Sequence, residues 1–319
     1  MTQTAFYNDH AHDITTIDTG FMRPRLAASH LLLAQRHAAF IDVGTTWSVP
    51  RLLQVLQEKQ IAPEQVDYVI VTHVHLDHAG GAGALMQQLP NARCVVHPRG
   101  ARHLIDPTQL INAAIAVYGE EAIRKNYGDI IPIPSERILM AEDNFTLDFR
   151  QRTLRFLDTA GHARHHFCIF DEMSQSFFTG DTFGISYREF DTPRGAFIFA
   201  TTTPTQFDPK ALHESIDRLL SYQPQKIYLT HYGEVQNIAA LAENLHASID
   251  TLISLTEIAV TKTTNPTEQL QILTHLILEH FHFQLQQQCC HVEKSYADDL
   301  LTMDAELNAQ GLLYWQSRR

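Results

Sequence analysis

The chain lacks the usual sequence features of exported and membrane-spanning proteins. Only four of its 319 residues are cysteines, and none form a C-x-x-C pair, which favours reduced thiols in a cytoplasmic protein. No stretch approaches the roughly 18 consecutive apolar residues that a transmembrane helix needs. Residues 1–12 show no basic start followed by an apolar run, so we expect no secretory signal. These absences predict a cytoplasmic location and no insertion into a membrane.

Positive charge is also scarce. The sequence has 24 lysines and arginines against 36 aspartates and glutamates, which gives a formal net charge of −12. Binding of a nucleic acid requires clustered lysine and arginine, so we expect a small-molecule substrate and no nucleic-acid partner. The hydrophobic content of 44% is sufficient for a sizeable core, and the length allows one large domain with an appendage.

The most informative segment is the run T-H-V-H-L-D-H-A-G-G that begins at Thr72. It holds four metal-binding side chains within six residues: His73, His75, Asp77 and His78. The apolar stretch Val66–Val71 leads into the run and is typical of a buried strand. Because alternate residues of an extended chain point the same way, His73, His75 and Asp77 should project together at the strand end. Such a group of ligands favours a transition-metal ion of the zinc or iron type.

The run is similar to the H-x-H-x-D-H signature of the metallo-β-lactamase superfamily, and three later motifs continue the pattern of that family. Each motif follows an apolar strand, and the three are Gly161-His162, Thr179-Gly180-Asp181 and Thr230-His231. The resemblance covers roughly residues 14 to 250. It implies an α/β fold, the αββα sandwich, in which the segment Asp42-Val43-Gly44 lies under the metal site.

The resemblance also implies a site for two divalent metal ions, with zinc as the first expectation and iron or manganese as alternatives. One ion would be held by His73, His75 and His162, the second by Asp77, His78 and His231, and Asp181 would bridge both. Two neighbouring dications need an anionic bridge, and a shared hydroxide can complete it, since a metal-bound water has a pKa of roughly 7. Asp77 and Asp181 are therefore the expected catalytic residues. His166 matches a histidine that often supports the ligands in this superfamily; an ordinary polar residue at a strand start is the alternative.

This ligand set predicts hydrolysis of a small ester, thioester or lactone by the bridging hydroxide, because the first run most resembles glyoxalase II and similar hydrolases. The basic residues with which glyoxalase II binds glutathione have no convincing counterpart in Lys294 and Arg318-Arg319. Two other classes stay open. One is a di-iron or mono-iron redox protein acting on oxygen or persulfides, and the other is a regulatory or binding protein without enzyme activity.

Two segments outside the motifs are interpreted as covers over the site. A helical insert at about 101–127 carries Tyr118 and Tyr127, although a peripheral helix pair explains it equally well. The loop 183–205 is long and aromatic, and loops of this length are often functional. Apolar side chains suit an acyl or aromatic substrate. The candidate substrate-binding residues are Tyr118, Phe183, Tyr187 and Phe197, with Phe190 as a further aromatic in the same loop.

The predicted organisation is a metallo-β-lactamase-like domain at 1–250 followed by an all-helical extension at 251–319. Within it, Asp208-Pro209 and Asn265-Pro266 are typical helix starts, since Asp or Asn caps a helix and proline suits its first turn. We expect 226–230 to be the last strand and Gly311 to end the last helix. The extension could form a small subdomain or mediate a homodimer.

Overall fold

The computed structural model describes residues 6–202 and 205–319, and of Val117 and Tyr118 it describes the backbone alone. The contacts within the chain divide it into two units. The first unit comprises Met1–Asp158, His165–Gly180 and Pro224–Gln236. The second unit comprises Thr159–Arg164, Asp181–Gln223 and Asn237–Arg319. Each unit therefore draws on segments that are distant in the sequence.

The first unit contains a seven-stranded sheet whose spatial order follows the sequence. Its strands are β1 (Tyr7–His10), β2 (Ile14–Asp18), β3 (Ala28–Ala34), β4 (His37–Ile41), β5 (Val66–Ile70), β6 (Arg93–Val96) and β7 (Ile138–Met140). Strands β1 to β4 are antiparallel neighbours, and β4 to β7 are parallel. Parallel neighbours need crossover connections, which here contain helices. These are α1 (Val49–Glu58), α2 (Leu76–Ala79), α3 (Ala82–Gln88), α4 (Pro98–Ile105), α5 (Thr108–Tyr118) and α6 (Glu120–Tyr127).

A six-stranded sheet completes the first unit. Its strands are β8 (Thr146–Phe149), β9 (Arg152–Asp158), β10 (Phe167–Asp171), β11 (Ser176–Phe178), β12 (Lys226–Leu229) and β13 (Gly233–Val235). They lie in the order β13-β12-β11-β10-β9-β8, and only the β11–β12 pair is parallel. The parallel pair brings the ends of β11 and β12 to the same edge of the sheet.

Two hydrophobic clusters hold the first unit together. One cluster joins the sheets, because Leu32 and Ile70 of the first sheet are buried with Phe156 and Ile169 of the second. The other covers the opposite face of the first sheet, where α1 and α3 supply leucines such as Leu85. Full burial of one such side chain stabilises the fold by roughly 1.5–3 kcal/mol. The sheets can therefore hold strand-end residues in fixed positions.

The second unit is helical, with α7 (Pro209–Leu220), α8 (Ile238–Lys262), α9 (Pro266–Gln287) and α10 (Lys294–Gln316). The Asp208 carboxylate accepts a hydrogen bond from the Ala211 amide at 3.1 Å, which confirms the predicted start of α7. The Asn265 side chain accepts one from the Thr267 amide at 2.9 Å, which confirms the start of α9. Helix α8 runs without a break through residue 250. The predicted domain limit at that residue stays a prediction.

Two predictions about secondary structure are wrong: the position of the last strand and the end of the last helix. The last strand is β13, not 226–230, and it pairs with β12 although it has only three residues. Helix α10 does not stop at Gly311 but continues to Gln316. A Cβ atom at Gly311 would lie 2.6 Å from the Thr202 carbonyl oxygen. This glycine therefore serves close packing against the 202 segment rather than helix termination.

The fold class is confirmed. Two mixed sheets with helices on both sides match the αββα sandwich, with α4–α6 as the helical insert and α8–α10 as the helical C-terminal part. Among residues 6–202 and 205–319, no helix has the length and apolar character that crossing a membrane requires.

Candidate metal centre

Four segments of the first unit meet at the carboxylate of Asp42. This residue follows β4, is fully buried and has a left-handed backbone with φ of 51°. Its oxygens accept hydrogen bonds from the Thr72 amide at 2.8 Å, the Thr230 hydroxyl at 2.7 Å and Nδ1 of His78 at 2.7 Å. The ends of β4, β5 and β12 and the short helix α2 are thereby tied together. The contact to His78 fixes its tautomer and leaves Nε2 available as a ligand atom.

Asp77, His78 and His231 converge in the first unit, and we call them the Asp77 cluster. Oδ2 of Asp77 lies 3.2 Å from Nε2 of His231 and 3.7 Å from Nε2 of His78. Ligand atoms around a tetrahedral zinc ion, with bonds of roughly 2.0–2.1 Å, lie about 3.3 Å apart. His231 donates from Nδ1 to the Leu26 carbonyl at 2.7 Å, so its Nε2 also faces the cluster. The three residues fit one transition-metal ion.

His73 and His75 form a second convergence in the first unit. Nε2 of His73 lies 2.7 Å from Nδ1 of His75, and the His73 ring is fully buried. On its other side, Nδ1 of His73 lies 3.2 Å from the Thr72 hydroxyl, which donates to Asp42 at 2.9 Å. His73 is therefore linked through Thr72 to Asp42, the same carboxylate that accepts a hydrogen bond from His78.

His162 and Asp181 meet in the second unit. Nε2 of His162 lies 3.3 Å from Oδ2 of Asp181, and its Nδ1 lies 3.3 Å from the Thr201 carbonyl oxygen. Both side chains are buried. The preceding Gly161 has φ of 131°, and a Cβ there would lie 2.4 Å from the Cα of Leu212. Glycine is required at this position because the chain passes so close to α7.

Two further histidines of the first unit surround His73. The His166 ring is fully buried, and its centroid lies 4.8 Å from that of His73. Gly180 has φ of 48°, and a Cβ there would lie 2.6 Å from Nε2 of His166. The His165 ring lies 5.6 Å from that of His75. The sequence indicated a supporting role for His166 alone, because nothing in the pattern distinguishes His165 from a loop residue.

His30 supports the strand end that precedes His231, and the sequence analysis did not identify it. Burial lowers the pKa of His30 to about 4, so its imidazole is neutral and carries one ring hydrogen. Nε2 donates this hydrogen to the Leu229 carbonyl at 3.1 Å, and Nδ1 accepts from the Thr16 hydroxyl at 3.1 Å. The neutral ring thus links β2 to the end of β12.

The aromatic residues of the 183–205 loop pack among themselves and against Phe281 of α9 and Asp304 of α10. Phe183, Tyr187, Phe190 and Phe197 are almost fully buried. The Phe197 ring lies 5.5 Å from that of Phe190, and the Tyr187 hydroxyl donates to Asp304 at 2.8 Å. Tyr127 of the insert contacts Phe21 at 5.3 Å between ring centroids. The side chain of Tyr118 lies outside the described residues. Packing already explains the loop aromatics, and their contribution to substrate binding stays a prediction.

Comparison with known proteins places these residues in a family context. Residues 22–231 match the family model of the metallo-β-lactamase superfamily. The metallo-β-lactamase fold-containing protein ST1585 of Sulfurisphaera tokodaii is 25% identical over 216 residues, which cover 66% of this chain and 75% of that protein. The crystal structure of ST1585 superimposes with a TM-score of 0.67 and 20% identity, covering 95% of this chain and 99% of that one.

One further curated relative and one solved structure of similar fold carry names that describe different chemistry. An atrochrysone carboxyl ACP thioesterase of Aspergillus fumigatus is 27% identical over 118 residues, which cover 37% of this chain and 28% of that enzyme. A structure described as the peroxy diiron species of chemotaxis sensor ODP has a TM-score of 0.53 and 13% identity. It covers 75% of this chain and 92% of the sensor.

Proposed function

Because the chain belongs to the metallo-β-lactamase superfamily, we propose that it is a metal-dependent hydrolase of a small ester, thioester or lactone. The observation that carries this proposal is the Asp77 cluster. Each of its histidines donates a hydrogen bond from Nδ1, His78 to the buried carboxylate of Asp42 and His231 to the Leu26 carbonyl. An imidazole fixed in this way presents its second nitrogen as a ready metal ligand.

The proposed centre is dinuclear. The Asp77 cluster would hold one ion, His73, His75 and His162 the other, and Asp181 would bridge them. Two distances support this assignment: 2.7 Å between the ligand nitrogens of His73 and His75, and 3.3 Å between His162 and Asp181. The order of the four motifs along the chain is the order that the family pattern requires. Zinc is the first expectation, and iron or manganese are alternatives with the same ligand types.

Two bound divalent ions would supply Lewis acidity and a water acidified enough to attack a carbonyl carbon at neutral pH. The residues of the chain supply orientation and proton transfer. Asp77 is suited to accept the proton that the attacking water releases and to pass it to the leaving group, because its side chain is 25% exposed while its Oδ2 stays beside His231. Asp181 is buried and is suited to hold two cations close together.

A thioester is the substrate class that we favour. A thiolate leaves readily and needs little help from an acid, and the fungal relative is described as a thioesterase acting on an acyl carrier protein. We include Tyr118, Phe183, Tyr187 and Phe197 in the proposal as residues that would line an acyl site after local rearrangement. The proposed partner is a small molecule, and dimer formation through the C-terminal helices remains part of the proposal.

The test combines metal analysis with a substrate panel. Protein loaded with zinc, manganese or iron should hydrolyse at least one of a set of acyl thioesters, lactones and aryl esters, and chelation should abolish that activity. The variants Asp77→Asn and Asp181→Asn should lose most of it. His37→Gln is the matched control, because His37 also contacts a carboxylate, that of Asp67 at 3.0 Å, but belongs to neither ligand group.

Two results would contradict the proposed hydrolase. Iron-loaded protein that turns over no acyl substrate but consumes oxygen with a thiol or persulfide donor would favour the redox alternative. Metal-replete protein that is inactive in both assays would favour a regulatory or binding role.

A further inference from the structure

A pair of histidines in the second unit meets nitrogen to nitrogen. His213 of α7 and His246 of α8 place their Nδ1 atoms 2.6 Å apart. The two rings are nearly coplanar, at 9°, with centroids 4.9 Å apart. The distance between the centroids exceeds the distance between the Nδ1 atoms by about the sum of two ring radii. The rings therefore meet edge to edge, with both Nδ1 atoms directed into the same small gap.

Each imidazole of the pair is held from behind by an aspartate of the opposite helix. Nε2 of His213 lies 3.3 Å from Oδ1 of Asp250 on α8, and Nε2 of His246 lies 3.2 Å from Oδ1 of Asp217 on α7. Both helices thus carry the same spacing, a histidine followed four residues later by an aspartate. Residues four apart share a helix face, so each helix presents one ligand and one support.

One assignment of the ring hydrogens places a cation in the gap. If each Nε2 donates its hydrogen to an aspartate, both Nδ1 atoms present lone pairs to one another at 2.6 Å. Two facing lone pairs repel unless a positive charge lies between them. Metal-binding histidines almost always donate the far ring N–H to a carboxylate, a backbone carbonyl or water, and a carboxylate fills this place on both rings here. The duplicated pattern favours a metal ion over a shared proton.

We propose that His213 and His246 bind a divalent transition-metal ion, of the zinc, copper or nickel class, that links α7 to α8. Around a tetrahedral ion with bonds of roughly 2.0–2.1 Å, the two Nδ1 atoms separate to about 3.3 Å. Both side chains are 27% exposed, which leaves room for this small rotation and for water molecules as the remaining ligands. This site is separate from the proposed catalytic residues.

The surroundings of the pair favour a cation. A groove of about 490 Å³ beside it is lined by Asp208, Glu214, Asp217 and Asp250 against only two basic residues, Lys210 and Arg319. The excess of carboxylates raises the local concentration of divalent ions. Imidazole nitrogens select transition metals over magnesium or calcium, which prefer oxygen ligands.

The experiment measures zinc bound per chain after dialysis of the full-length protein against buffered free Zn²⁺. Wild type should hold one more zinc ion than His213→Gln or His246→Gln, at equal occupancy of the catalytic ligands. His282→Gln is the matched control, since Nε2 of His282 contacts Asp298 at 2.7 Å without a second imidazole, and it should bind as wild type. Circular dichroism confirms that each variant is folded.

Two further readouts sharpen the result. Asp217→Asn and Asp250→Asn keep both ring nitrogens, and they should weaken the affinity for this zinc ion by about 10–100-fold without abolishing binding. Zinc should raise the melting temperature of wild type more than that of His213→Gln, because a bound ion stabilises the folded state. Equal zinc content in wild type, both glutamine variants and the control overturns the proposal and leaves an imidazole pair that shares a proton.

Discussion

The Asp77 cluster and the His213–His246 pair both direct imidazole nitrogens toward one point, but different elements and different supporting groups position them. In the Asp77 cluster, Asp77 and His78 lie on the short helix α2 and His231 follows β12, and the two histidines are held by a buried carboxylate and a backbone carbonyl. In the His213–His246 pair, the ligands lie on helices, and their supporting aspartates are 70% and 73% exposed. Solvent screens the second arrangement, so its contacts contribute little to stability without an ion. The buried Asp77 cluster is therefore preorganised without an ion, whereas the exposed His213–His246 pair needs a bound ion to fix its geometry.

The largest expected effect is that of Asp42→Ala, which removes the acceptor shared by Thr72, Thr230 and His78. Each buried donor left without an acceptor costs about 1–3 kcal/mol in the free energy of unfolding, and loss of a metal-supporting residue weakens metal affinity by about 10–100-fold. Urea denaturation and metal titration measure the two effects. Asp42→Asn keeps the shape of the side chain and should lose metal affinity with less loss of stability.

Asp171→Ala is the matched control for Asp42→Ala. Asp171 is equally buried and pairs with Arg152 at 2.6 Å, but it belongs to no ligand group. We expect a similar loss of stability and unchanged metal affinity. If both aspartate variants lose metal alike, general destabilisation explains the result, and the supporting role of Asp42 is wrong.

His30 should make stability depend on pH. Its folded pKa of about 4 lies below the value of roughly 6.5 in the unfolded chain. Between these values the unfolded state binds more protons, so stability falls as pH decreases from about 6.5 to 4, by on the order of 3 kcal/mol in total. Urea denaturation at several pH values measures the slope. His30→Gln should show a shallower slope than wild type, and equal slopes would exclude His30 as the cause.

Gly180 of the first unit and Gly311 of the second allow the effect of the same substitution on stability and metal binding to be compared in both units. A Cβ at Gly180 would lie 2.5 Å from the Thr72 hydroxyl, and one at Gly311 would lie 2.6 Å from the Thr202 carbonyl. Each substitution to alanine should cost about 1–3 kcal/mol by overpacking. Only Gly180→Ala should also weaken metal binding, because Thr72 contacts Asp42 and lies beside His73. Equal metal affinity in both variants would contradict this coupling.

The smallest effect is expected for His213→Gln in metal-free protein, within about 1 kcal/mol, because the aspartates that its ring and that of His246 contact are exposed to solvent. Denaturation in the presence of a chelator measures it. A loss comparable to that of Asp42→Ala would show that the pair stabilises the fold without any ion, as the Asp42 contacts do.

The sequence predicts the parts of this molecule that depend on local pattern. Apolar strands followed by His or Asp can be recognised from the family motifs, and helix starts at Asp208 and Asn265 follow from capping. The expectation from alternation that Asp77 projects with His73 and His75 at the strand end is wrong, because β5 ends at Ile70 and Asp77 lies on α2 beside His78 and His231. The contacts of Asp42 come from residues 30, 36 and 188 positions away, so no local pattern contains them. Gly311 was misread as a helix stop because its reason is the distant Thr202 carbonyl. His213 and His246 had only their shared spacing to aspartate as a signal.

The proposed dinuclear centre is tested most directly by anomalous diffraction from crystals of zinc-loaded protein. We predict two neighbouring peaks, one at Asp77, His78 and His231 and one at His73, His75 and His162, with a carboxylate oxygen of Asp181 contacting both. The His213–His246 pair would add a separate third peak. A single peak among the ligands of the dinuclear centre, or two peaks there with Asp181 turned away from them at full zinc loading, would contradict the dinuclear centre.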